Sequence, residues 1–194
     1  MSIIGPVGMD NYKSPLESES DSDGEQAITT YQNNCSLVAK LICDKISFLT
    51  AGDIKTDGEK ALIKEYKNTN VLKSNIYKMS HHGLYPANSE EFIDYIRPDF
   101  SFASDYSYTN INTQGTGKYW RTYKAQMNCS KYGFTYMGGR ENKTLHINVS
   151  NNNVSLYKYG ESQKINSKGW TKVVGGDGTY RTYDYYYLIN LVIL

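Results

Sequence analysis

The sequence predicts an α/β layered fold, and three observations carry that prediction. Between residues 35 and 104, short β-rich apolar runs alternate with segments of helical periodicity, and past residue 133 strands dominate. Polar residues able to do chemistry leave the ends of the apolar runs: Asp53 follows ISFLTAG, and His81 with His82 follows NIYKMS. In such layered folds the loops at the carboxyl ends of strands converge on one edge, where a cleft forms.

Each element has its own signal. CSLVAKLIC (35–43) and KISFLTAG (45–52) are β-rich runs separated by Asp44, which reads as a hairpin of two buried strands. DGEKALIKEYKN (57–68) places apolar residues at 61, 62, 63 and 66 behind acidic residues suited to a helix N-terminus. VLKSNIYKMS (71–80) alternates as a strand and delivers His81 at its end. NSEEFIDYIRP (88–98) is a short helix with Asn88 or Ser89 as cap, Glu90 and Glu91 in its first turn and Pro98 as its stop. DFSFAS (99–104) is a further strand. KYWRTYKAQMNCSKYG (118–133) reads as a helix closed by Gly133, and FTYMGG, KTLHINVS and NVSLYKY follow as hairpin strands.

The 194 residues suit one domain with at most a small appendage. With 21 Lys+Arg against 20 Asp+Glu there is no overall field to favour nucleic acid or an anionic membrane, and no specific nucleic-acid motif is present. Cys35, Cys43 and Cys129 are too few and too scattered for a disulfide framework or a thiolate zinc site. Tyrosine numbers 19, set among alternating apolar residues, so the composition is that of a folded chain. LESESDSDGEQ (16–26) is the exception, an acidic, Ser-rich stretch expected to be a solvated loop; a calcium loop would need another spacing and a terminal Glu. The opening MSIIGPVGMDNYKS carries no secretory pattern, and the apolar YYYLINLVIL (185–194) is too short to span a bilayer. As it stands, then, the chain is expected in the cytoplasm, without a transmembrane segment.

Asp53, His81 and His82 admit two readings from the residues alone. Carboxylate oxygen and imidazole nitrogen are the donors expected for zinc or manganese, and a catalytic metal usually takes three protein ligands. A capping Asp beside two hydrogen-bonding histidines would produce the same sequence.

The order of motifs carries a resemblance. NNCSLVAKLICDKISFLTAGD, then GEKAL, then LKSNIYKMSHHG, then NSEEFIDYIRPDFSFAS, resembles the second half of a metallo-β-lactamase-fold hydrolase of the ComEC/Rec2-like branch. The similarity covers about residues 1–157, with IIGPVG resembling the strand that opens this half. Ala51 stands where Thr usually precedes Gly-Asp, and Leu84 where Ser often follows His-His-Gly. The resemblance implies the C-terminal half of an αββα sandwich in which Asp53 bridges two divalent metals, zinc or manganese, and His81 ligates the second. His82 would face substrate or orient the pocket, and His146 would be an ordinary strand residue. In the intact family the two metals activate a water for hydrolysis, and this branch leans towards a phosphodiester substrate. The first-half motif H-x-H-x-D-H has no counterpart among the three histidines of this chain. The resemblance therefore implies a truncated or split enzyme, inactive or nearly so alone, whose partner is the missing N-terminal half and whose uncovered sheet invites self-association.

A second resemblance concerns residues 158–194. GWTKVVGGDGTYRTYDYYYLIN (169–190) is similar to one degenerate bacterial cell-wall-binding repeat, with Trp170, Tyr185, Tyr186 and Tyr187 matching its glycan-stacking aromatics. A Tyr-rich terminal hairpin is the plainer reading. If the repeat is genuine, the parent protein belongs at the cell surface. The alternative function is a non-catalytic module for a cell-wall glycan or a protein partner.

Overall fold

The computed structural model describes residues 1–8, 31–104, 117–137, 145–150 and 153–158. Within them a six-stranded mixed sheet has its strands in sequence order. They are β1 (Ser2–Gly5), β2 (Val38–Cys43), β3 (Ile46–Thr50), β4 (Ile76–Lys78), β5 (Phe100–Ala103) and β6 (Phe134–Met137). The first three pair antiparallel, and β3 through β6 run parallel. Each parallel step is bridged by a helix: α1 (Thr56–Tyr66), α2 (Glu90–Ile96) and α3 (Gly117–Ser130). A separate antiparallel hairpin joins β7 (Leu145–Ser150) to β8 (Asn153–Lys158).

The parallel crossovers all step the same way along the sheet, so a common hand puts the three helices over one face. One core results. Leu62 and Ile63 of α1, Phe92, Ile93 and Ile96 of α2, and Ala125 and Cys129 of α3 meet Val38, Leu49 and Tyr77 of the sheet. Each fully buried Leu, Ile or Phe contributes roughly 1.5–3 kcal/mol by leaving water. Side chains alternate along a strand, so while Leu49 enters this core, Phe48 points to the opposite face. There Phe48 stacks on Phe102 at 6.2 Å between ring centroids, and Phe102 on Phe100 at 5.9 Å. Ile46, Ile76 and Phe100 of this second face are also buried, whereas at its β1–β2 end Leu41, directly across from Phe48, is 42% exposed and Ile3 55% exposed.

The hairpin read at residues 35–52 is present, turning at Asp44, whose φ of 54° lies in the left-handed region, but its strands are not both buried: β2 is buried at Val38 and Ala39 and exposed from Leu41 to Cys43. The helix read at 88–98 is present as α2, with Ser89 as its cap: the Ser89 Oγ accepts the Phe92 N–H at 3.3 Å. Two further expectations need correcting. Residues 71–75 do not extend β4, because their polar groups are met elsewhere. Lys40 Nζ donates to the carbonyls of Val71 (2.8 Å) and Lys73 (2.7 Å), and the Ser74 N–H donates to the Ile96 carbonyl (3.0 Å). Nor is FTYMGG part of a hairpin with KTLHINVS: β6 joins the main sheet parallel to β5, with Phe134 opposite Phe100. Gly133 makes that return passable, since a Cβ there would collide with the carbonyls of Asp99 and Pro98.

Candidate functional site

Strands β3 and β4 are adjacent and parallel, with Thr50 opposite Lys78, so the residues that leave their carboxyl ends emerge side by side. Beyond β3 the chain turns at Gly52, whose φ is +56° and where an added Cβ would lie 2.6 Å from the Ser36 Cβ, so there is no room for a side chain. Two polar residues ahead of β2 hold the turn that follows. Ser36 Oγ accepts the Asp53 N–H at 3.0 Å, and Asn34 Oδ1 accepts the Lys55 N–H at 2.8 Å. Asp53 is thereby anchored through its backbone, and its carboxylate projects outward.

Beyond β4 the chain makes a rarer turn. His81, His82 and Gly83 all have positive φ, at 46°, 56° and 77°. For residues with a Cβ this conformation costs roughly 1–2 kcal/mol each, so it persists only where surrounding bonds impose it. The His81 N–H donates to the Gly52 carbonyl at 3.0 Å and ties the two turns together. The turn aims the His82 ring at Asp53, with Nε2 3.7 Å from Oδ2. These side chains are 49% and 38% exposed, so their attraction is worth at most about 1 kcal/mol. The pair adds little to folding and remains open to solutes.

The half-buried His81 ring lies 6.2 Å from that of His82, centroid to centroid. Its Nδ1 is buried and has no hydrogen-bond partner among the described residues. Burial lowers its pKa, Lys55 and His82 act in the same direction, and Asp53 opposes them. The net effect favours the neutral imidazole, which keeps a lone pair for a proton or a metal.

Beneath the histidine turn lies a buried polar network. Asn88 Oδ1 accepts the Ser80 N–H (2.9 Å) and the Tyr77 hydroxyl (3.0 Å), while Nδ2 donates to the carbonyls of Ser80 (3.0 Å) and Leu84 (3.3 Å). Asn88 itself has a φ of 61°, a region Asn tolerates better than most residues. Its N–H and that of Ser89 donate to the carboxylate of Glu59, which is fully buried in α1. Burial raises the Glu59 carboxyl to about 7, against the pull of the Ser89 and Asn88 bonds. The other titratable groups that feel its charge are Glu91 of α2, Tyr77 of β4 and Cys129 of α3.

The structure thus brings Asp53, His81 and His82 together at one sheet edge. Their donor types suit zinc or manganese, but their number does not complete a site: among the described residues no group of three or more His, Cys, Asp or Glu is placed to hold a metal ion. Trp170, Tyr185, Tyr186 and Tyr187 lie outside the described residues, as does the acidic stretch at 16–26. Sequence reasoning missed the supports Asn34, Ser36 and Asn88 and the burial of Glu59. For Glu59 a signal existed, since it lies three and four residues ahead of the apolar Leu62 and Ile63 and so shares their helical face.

Fold and site together define a mixed α/β domain with a carboxylate and a histidine pair at the carboxyl edge of its parallel strands. No family model and no solved structure matches the chain. The chain is similar to ComE operon protein 3 of Bacillus subtilis (strain 168), at 30% identity over 73 residues. That stretch is 38% of this chain and only 9% of the relative. No helix among the described residues is long and apolar enough to cross a membrane.

Proposed function

We propose that this chain is the C-terminal half of a metal-dependent hydrolase of the metallo-β-lactamase superfamily, with a parent activity on a phosphodiester. The observation that carries the reading is the meeting of Asp53 with the His81–His82 turn at the ends of two adjacent parallel strands. The local similarity to ComE operon protein 3 supports it. Asp53 and His81 would be the metal donors, with His82 facing substrate or holding the carboxylate in place. A divalent metal pair would supply Lewis acidity there. The remaining donors come from a segment of the H-x-H-x-D-H type, which this sequence does not contain.

The test follows from ligand number, since a catalytic zinc takes about three protein ligands. Calorimetry should find weak zinc or manganese binding by the chain alone, and bis(p-nitrophenyl) phosphate should not be hydrolysed above background. Adding a first-half segment, in trans or fused, should restore both. Asp53→Ala and His81→Ala should then each abolish activity, and His82→Ala should lower it about 10- to 100-fold. Strong metal-dependent turnover by the chain alone that survives Asp53→Ala would overturn the proposal.

A further inference from the structure

The histidine turn places three successive residues in the left-handed region, two of them with side chains, and something must hold it there. The Asn88 carboxamide does so directly, bonding the N–H and carbonyl of Ser80 on one side of the turn and the carbonyl of Leu84 on the other. Asn88 sits in a strained conformation of its own, in a loop whose backbone is held by α1. Thr56 Oγ1 donates to the Pro86 carbonyl at 3.0 Å, and one helical turn later Glu59 accepts the N–H groups of Asn88 and Ser89. Asn128 of α3 adds a bond from Nδ2 to the Asn88 carbonyl at 2.8 Å.

We propose that Glu59 is a positioning residue for the histidine turn: by holding the Asn88 and Ser89 amides it keeps Asn88 in place, and Asn88 keeps His81 and His82 facing Asp53. A helix cap alone would not call for it, because Ser89 already caps α2 with its own hydroxyl. An ionisable side chain is also a poor choice for mere packing, since burying a carboxyl is costly unless its bonds are needed. The inference deepens the reading of Asp53 and the histidine pair as the site and rests on it for its functional meaning. The conformational claim stands apart from any metal.

Hydrogen exchange on the full ¹⁵N-labelled chain tests it, comparing wild type with Glu59→Gln. The amide in Gln keeps the shape and one acceptor but turns an NH₂ towards one of the two backbone donors. The amides of Ser80, His81 and Leu84 should lose protection tenfold or more, while that of Leu49 in the sheet keeps its wild-type value. Asn88→Asp keeps the shape and turns both Nδ2 donations into repulsions, so it should give the same local pattern. Unchanged protection at Ser80 and His81 in both variants would overturn the proposal. So would an equal loss at Leu49, which would make Glu59 a residue of the general fold. Because exchange reads the turn itself, a failure of metal binding would leave this result intact, and loss of the turn's protection would not by itself prove a metal site.

Discussion

Glu59 carries the clearest consequence of burial at a single residue. Its carboxyl rises from an ordinary 4.5 to about 7 because the interior disfavours its charge more than two backbone donors favour it. A group whose pKa is raised by folding lends stability that is complete below its unfolded value and is lost as the pH climbs through its folded value. The chain should therefore lose on the order of 3 kcal/mol from this group between about pH 4.5 and 8. Glu59→Gln cannot ionise and should lack that component. Denaturant titrations of both proteins at pH 5 and pH 8 measure it as a difference of differences, and parallel behaviour would mean that Glu59 is not a buried acid. At Asp53 and His82 exposure has the opposite result. Their 3.7 Å pairing is screened by water, so Asp53→Asn should change stability by less than about 1 kcal/mol.

At the level of elements, the short pieces depend on side chains borrowed from elsewhere. Helix α2 has seven residues, too few to be stable without its cap and its packing. Ser89→Ala removes the Oγ acceptor from the Phe92 N–H and should cost about 1 kcal/mol, read as a lowered denaturation midpoint at constant slope. Lys40 offers a second case. Burial lowers its pKa, yet its ammonium satisfies the Val71 and Lys73 carbonyls that would otherwise belong to a strand ladder. Lys40→Met keeps the length of the side chain and leaves the part-buried Val71 carbonyl unmet, while the exposed Lys73 carbonyl turns to water, so it should cost about 1 kcal/mol. A neutral result would show that water serves them equally well.

For the whole molecule, the consequence lies in the two faces of one sheet. Three helices cover one face; on the other Ile46, Ile76 and Phe100 are buried, and apolar side chains are exposed at its β1–β2 end, at Ile3 and Leu41. Apolar area returned to water costs roughly 25 cal/mol per Å², so the purified chain should self-associate. Sedimentation should show mass rising with concentration, and Leu41→Lys should reduce it. A concentration-independent monomer that binds no hydrophobic dye would count against a half-sandwich.

Local pattern by itself determined a good deal of this protein. The apolar runs of β2 and β3, the Asp44 turn, the capped α2, and the exit of Asp53 and His81 from strand ends were all legible, because each depends on neighbours within a few residues. Tertiary structure decided the rest. Alternation in FTYMGG marks a strand but not its partner, and only the crossover through α3 lays it parallel to β5. Residues 71–75 alternate like a strand, yet Lys40, over thirty positions away, takes their carbonyls. That His82 is the ring set 3.7 Å from Asp53 follows from three successive left-handed residues, a conformation that two histidines do not adopt on local grounds. It is imposed by Asn88, 8 positions from the Ser80 that it bonds, and through Asn88 by Glu59, 29 positions from Asn88. Bonds over such distances exist only once the core has closed, so no local pattern could announce them.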